Sequence, residues 1–420
     1  MAARSATRVD ASGAAHLLRR TTFGPFPGQV AAAVESHRTT AELVDAIVGA
    51  DPLPFEPRTD ALGAIDIDAV APHTSLADVG PRYRSYVEYW VRRMRSDEAG
   101  LHEKMTWFWH GHFTTSVQKA NDSNVGWRQL RTLNRHALGN FGDLARAMST
   151  DAAMLIYLDG DGSNAARGAR PNENYGREFL ELFTLGIGNY SQRDVVSAAR
   201  SFAGWRVNFV GVELRVVDST DRAVEFRPET ANTRPLRFLG RRGRYDVDAI
   251  VDRVLEHPAC APFLVTKLWR FLIGGAPDPS IVGRWADSFR SGGYEIAPLV
   301  ERMLRSDAFA ASQYRRARTA IEWHSSAVRI ANIGVAGSEG LEALGQMPYL
   351  PPSVAGWPGD DAWLSATQAR ARAEFLTGHS FDVDDLVGEP DLAAAVIDRC
   401  ALGDAPSCHA PLARLVDELA

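Results

Sequence analysis

Apolar side chains recur along this chain at the spacing of a helix face far more often than at the alternation of a strand, and that periodicity confines it to a mainly α fold. "DASGAAHLLRRTTFG" places Ala14, Leu17 and Leu18 on one face, and Gly24 with Pro25 ends the segment. "TTAELVDAIVG" repeats the pattern and stops at Gly49. Residues 83–113 form a strongly aromatic helical pair carrying Trp90, Trp107, Phe108 and Trp109. Two more helices lead to "LIYLDGDGSN", and helices resume at "DVDAIVDRVLEHPACAPFLVTKLWRFLIGG" and "IAPLVERMLRSDAFAAS". Strand-like composition gathers in "WRVNFVGVELRVVD" and "AVEFRPE", which predict a hairpin with Gly211 near its turn. "YLPPSVAGWPGDDAW" reads as a stiff loop, after which "SATQ" resembles a capping box opening a last helix.

No Ser/Gly/Pro-rich linker divides the 420 residues. A length prior of roughly 150 residues per domain would suggest about three domains. The uninterrupted pattern instead predicts one large helical domain over residues 10–380. Its parts are an N-terminal helical lobe (10–50), a surface excursion (51–82), a core lobe (83–205), a small β-hairpin insertion near 205–240 and a C-terminal helical lobe (245–380), with 381–420 as an extension. The net charge of −6 argues against a nucleic-acid surface, and "RRGR" is the only compact basic run. Three cysteines (Cys260, Cys400, Cys408) are too few for a disulfide framework, although the last two could close a small loop in an oxidising compartment. No stretch approaches the roughly 20 apolar residues that span a bilayer. The first 20 residues lack an apolar targeting segment, so a cytoplasmic location is the expectation.

One stretch concentrates the chemistry. "RPNENYGREFLELFTLGIGNY" (residues 170–190) is too apolar to be a surface helix, yet it carries three glutamates. With Asn172 as N-cap and Gly186 and Gly188 as the stop, Tyr175, Phe179, Leu182 and Phe183 share one face. Asn174, Glu178 and Glu181 lie on the adjacent stripe, with Arg177 one turn before Glu181. Two carboxylates buried this close need a neutralising cation, which could be an arginine, a lysine or a metal ion. The structural alternative is an Arg–Glu network that locks helices together.

"EKMTWFWHGHF" supplies imidazoles. Glu103, Trp107 and His110 lie along one stripe, and a helix break at Gly111 would swing His112 back toward His110. Histidines with carboxylates suit zinc, iron or manganese. His110, His112, Glu178 and Glu181 are therefore the expected metal ligands, with Arg177 and Asn174 orienting substrate. Hydrogen-bonded core histidines are the commoner outcome for such a pair. "LDGDGSNAARG" opens with the spacing of a calcium loop but lacks its turn glycine and final glutamate, which favours a plain turn. No nucleophile elbow, phosphate loop, H-E-x-x-H or haem-attachment motif is present. His257, before Pro258, reads as a structural histidine. Three classes stay open: a metal-dependent hydrolytic or oxidative enzyme, a metal-free acid–base enzyme using Glu178 and Glu181 on a small-molecule or polymer substrate, and a non-enzymatic scaffold.

Several ordered motifs resemble the bacterial domain-of-unknown-function 1800 family. They are "AAHLLRRTTFGP", "EKMTWFWHGHF", "HALGNFGDLARAMSTDAAMLIYLDG", "PNENYGREFLELFTLGIGNYSQRDVVSAARSFAGW", "HPACAPFLVTKLWRFL" and "PPSVAGWPGDDAWLSATQARARAEF", over roughly residues 14–376. The resemblance implies a predominantly helical fold, frequent export and a sulfatase-like companion protein, and it assigns no activity. The family-like positions are His110, His112, Asn172, Glu173, Asn174, Arg177, Glu178, Glu181, Asp194 and Trp205. "FRPETANTRPLRFLG" departs from the histidine–aspartate, glycine and lysine pattern of relatives.

Overall fold

The computed structural model describes residues 7–54, 79–120, 123–210, 213–214, 224–330 and 338–377. The architecture is mainly α. Helices α1 (Ala11–Thr21), α2 (Gln29–Ser36) and α3 (Thr40–Val48) precede α4 (Val79–Met94) and α5 (Leu101–His112). Next come α6 (Val117–Ala120), α7 (Ser123–Arg135), α8 (Phe141–Ser149), α9 (Ala152–Tyr157), α10 (Asn174–Glu178) and, without a break, a π-helix over Phe179–Thr184. After α11 (Gln192–Phe202) and the β region, the chain closes with α12 (Val247–Leu255), α13 (Cys260–Leu272), α14 (Pro279–Ser291), α15 (Ile296–Leu304), α16 (Asp307–Ala310), α17 (Ala320–Ile330) and α18 (Ala366–Thr377).

Short polar side chains start many of these helices. Asp10, Thr39, Asn140, Asp151, Asp246 and Ser306 each accept a hydrogen bond from a backbone N–H of the first turn. Each such cap is worth about 1 kcal/mol. Ser191 and Asp194 form a reciprocal capping box on α11, and the second oxygen of Asp194 accepts the Leu239 N–H at 2.7 Å. Ser365 caps α18, but Gln368 reaches the Leu344 carbonyl instead of returning to the cap, so only half of the expected box forms.

The β insertion is three antiparallel two-stranded pieces in place of one hairpin. β1 (Trp205–Val207) pairs with β4 (Val224–Phe226), β2 (Phe209–Val210) with β3 (Glu213–Leu214), and β5 (Leu236–Phe238) with β6 (Arg241–Gly243). The last pair turns through Leu239 and Gly240, both at positive φ, as a tight two-residue hairpin requires. Gly211, residues 55–78 of the expected surface excursion, Cys400, Cys408 and the 381–420 extension lie outside the described residues. α4 begins at Val79, a few residues before the expected end of that excursion.

Two apolar clusters are stitched together by shared helices. The larger gathers α1, α3, α8, α9, the π-helix and α11–α16; the smaller gathers Phe23, Trp90 of α4, Ile321 of α17, Tyr349 and Phe375 of α18. α5 serves both, with Leu101, Met105 and Trp109 facing the larger and Trp107 the smaller. α7 does the same through Leu133 and Trp127. Among the described residues, no helix is long and apolar enough to cross a membrane.

Candidate functional site

α5 runs unbroken through Gly111 to His112, so the expected break is absent and the two histidine rings enter different surroundings. The predicted stripe of Glu103, Trp107 and His110 does form, against Trp90. His110 is fully buried; its Nε2 accepts the backbone N–H of Tyr349 at 3.0 Å. Accepting there leaves the imidazole proton on Nδ1, which has no hydrogen-bond partner. The rings of Trp90, Trp107, Tyr349 and Trp357 surround it, and burial lowers its pKa to about 3.

His112 faces the other way. Its Nε2 donates to the carbonyl of Phe183 at 3.0 Å, which puts the proton on Nε2 and the lone pair on Nδ1. Lys267 Nζ stands 3.4 Å from that Nδ1 and donates to the Leu182 carbonyl at 2.8 Å. Burial and the Lys267 charge hold His112 well below the usual imidazole range, against the pull of the Phe183 carbonyl. The π-helix explains this arrangement. Its wider turns, with Leu185 N–H reaching back to Leu180, leave the Leu182 and Phe183 carbonyls free, and a buried imidazole and an ammonium close them.

The glutamates lie on the half-buried side of the same element. Glu178 has no hydrogen bond or ion pair among the described residues. Partial burial raises its pKa, the neighbouring Glu181 raises it further, and Arg177 opposes both. The Tyr190 hydroxyl donates a short hydrogen bond to Glu181 Oε2. Partial burial and that carboxylate push Tyr190 up to about 12.

Asn172, the expected cap, sits one residue outside it: Glu173 takes the cap position, and Asn172 Oδ1 accepts the Asn174 N–H in a local turn. Asn174 donates to the Leu158 carbonyl at 3.3 Å, and Arg177 to Gln192 at 3.0 Å beside Glu173. Both side chains therefore anchor the start of the helix. Gly176 lets α10 press onto α11, since a Cβ there would lie 2.7 Å from Ala199 N and 2.8 Å from Val195 O.

The metal expectation needs convergent donors. Among the described residues, no group of three or more His, Cys, Asp or Glu side chains is arranged to hold a metal ion. Of the four expected ligands, each histidine uses Nε2 on the backbone, one ring faces aromatics and the other an ammonium. This arrangement does not fit a His/carboxylate centre. The buried charges follow the structural alternative elsewhere. Glu103 accepts from Arg93 Nε at 2.6 Å and Trp90 Nε1 at 2.7 Å, and Glu322 is clasped by Lys104 and Arg316. Asp159 pairs with Lys119, and Asp161 accepts the Val207 N–H, so the "LDGDG" segment is a turn fastened to β1. His257 accepts the Ala259 N–H at 3.3 Å, the structural role expected of it.

A family model described as "Protein of unknown function (DUF1800)" matches residues 16–418. The chain belongs to this family. Membership agrees with the helical fold and carries no activity with it. No curated protein and no solved structure matches the chain. Within the family-like positions, Asp194 and Trp205 have structural roles, the first in the capping box and the second packed on Phe226 in the β1–β4 pair. Sequence reasoning missed Lys267 and Tyr190, although both stand inside the family-like motifs. The available signal for Lys267 was rarity: of 46 lysine and arginine residues, three are lysines.

Proposed function

We propose that this protein is an acid–base enzyme that works without a metal, with Glu178 as the proton-transferring group and Glu181 as the neighbouring carboxyl that tunes it. The observation that carries this reading is the asymmetry of the pair. Glu181 accepts the Tyr190 hydroxyl, so one of its oxygens is already engaged. Among the described residues Glu178 has no hydrogen bond or ion pair, and its pKa is raised by partial burial and by the Glu181 charge against the pull of Arg177. A carboxyl whose surroundings raise its proton affinity, set beside a second one, is a usual basis for an acid or base role. Asn174 and Arg177 hold the helix in register, and Gln192 ties it to α11. The half-exposed position admits a small molecule or one unit of a polymer, and proton transfer of this kind suits hydrolysis.

The test is a panel of glycoside, ester and phosphoester substrates assayed with and without chelator, on the wild type, Glu178→Gln and Glu181→Gln. The expected result is chelator-resistant turnover that falls by two or more orders of magnitude in Glu178→Gln, in line with the rate usually supplied by a positioned acid or base. Carboxyl-resolved NMR titration supplies a second readout. Glu178 should titrate above an ordinary glutamate and move back toward it in Glu181→Gln. Turnover abolished by chelator and restored by zinc, iron or manganese would return the metal reading. An ordinary Glu178 titration, no turnover and a stably co-purifying companion protein would replace the enzyme with a scaffold.

A further inference from the structure

The chain's three lysines sit in unlike surroundings. Lys104 is buried against Glu322, and Lys119 is an exposed partner of Asp159 at 2.7 Å. Lys267 pairs with no carboxylate among the described residues. Its ammonium has two oriented acceptors, the Leu182 carbonyl and the Nδ1 lone pair of His112, and the Phe263 ring centre lies 5.0 Å away. His112 is held in that tautomer by Phe183. An arginine could close the same carbonyls, and this chain uses arginine for nearly all its cations. A guanidinium never surrenders its proton, whereas a desolvated ammonium does. Lys267 is part-buried, and a desolvated cation with no carboxylate partner among the described residues is costly to keep charged.

We propose that Lys267 is a carbonyl-reactive amine, held by Leu182 and His112, that condenses with an aldehyde or ketone to form an imine. The ammonium first releases one proton to water. The Nζ lone pair then attacks the carbonyl carbon, forming the N–C bond while the C=O π pair moves to oxygen, which takes up a proton. Loss of that oxygen as water from the carbinolamine gives the imine, so amine plus carbonyl equals imine plus water, with no oxidant or reductant. Two acceptors that hold two of the amine's hydrogens leave its lone pair directed away from them. A protonated imine keeps the positive charge and one N–H, so Leu182 or His112 still has a donor. The Phe263 ring favours a carbonyl on an apolar or aromatic body. Burial, and then the Arg270 charge, bring Lys267 down to about 8. At pH 7 this gives on the order of a hundredfold more neutral amine than an ordinary lysine.

The test uses the full chain with limiting benzaldehyde, or separately acetaldehyde, and cyanoborohydride at pH 7, with adducts located by peptide mass spectrometry. Lys119 is the internal reference because it is exposed. The expected result is that Lys267 is modified about tenfold or more faster than Lys119 in the native protein, and that the difference vanishes in urea. Lys267→Arg should keep the thermal transition and lose the fast adduct. Lys267 modified no faster than Lys119 with either aldehyde would overturn the proposal and leave Lys267 as a cap of the π-helix. The readout needs no turnover by Glu178 or Glu181, so it fails or succeeds independently of the acid–base reading.

Discussion

At the scale of single residues, the buried charges of this protein divide by what they face. Glu322 is desolvated, which pushes its pKa up, yet Arg316 and Lys104 hold it well below the usual carboxylate range. Its stabilising contribution is therefore present above the unfolded pKa and lost as pH falls through the lower folded value. Glu322→Gln leaves two buried cations without their anion and should cost about 3–5 kcal/mol in urea unfolding at pH 7. Among the described residues Asp151 has no cationic partner. It caps α9 through Met154 N–H and takes a hydrogen bond from Gln129, and burial raises its pKa to about 7 despite both. With the folded value raised, its contribution is full below the unfolded pKa near 4 and is lost as pH rises through about 7. Asp151→Asn keeps a capping oxygen and removes the titration, so the variant's stability should be flatter than wild type between pH 4 and 8, as read by thermal melts. Partners such as these were beyond sequence reasoning. Spacing showed that Glu103, Trp107 and His110 share a stripe, but it could not show that Arg93 and Trp90 would meet the glutamate there. For Lys267 rarity was the one signal available, and its setting was not legible, because that lies in having no carboxylate partner among the described residues.

At the scale of elements, caps and periodicity made the helices readable, and the errors arose where tertiary contacts override local preference. Gly111 reads as a helix stop, yet packing carries α5 through it. The turn over Phe179–Thr184 reads as ordinary α-helix. It widens instead, and His112 and Lys267 take up the carbonyls set free. The contact between α10 and α11 tests how far this geometry depends on close approach. Gly176→Ala would drive a methyl into the Ala199 and Val195 backbone, which cannot give way as a side chain would. The expected loss is about 1–3 kcal/mol, the usual cost of overpacking, accompanied by a changed Glu178 titration because the helix bearing it must shift. An unchanged melting temperature would show that the two helices are less tightly apposed.

At the scale of the whole molecule, the mainly α architecture was legible because nearly every segment repeats the same spacing, and the β region was placed correctly but reduced to one hairpin. How its elements cooperate was not legible, since that depends on α5 and α7 facing two clusters at once. Trp107 belongs to the smaller cluster and Trp109 to the larger, two residues apart on one helix. Truncating either to alanine should cost about 3–5 kcal/mol. The shared helix predicts that both substitutions lower one common calorimetric transition. Two transitions, with Trp107→Ala moving only one, would mean that the clusters unfold as separate units.

The scarcity of lysine has a practical corollary. A protease that cuts only after lysine can divide the chain into at most four pieces, and two of its three sites stand within helices, at the buried Lys104 of α5 and the part-buried Lys267 of α13. Cleavage at those two positions would then serve as a clock for spontaneous opening, with the exposed bond after Lys119 recording the enzyme's own speed in the same tube.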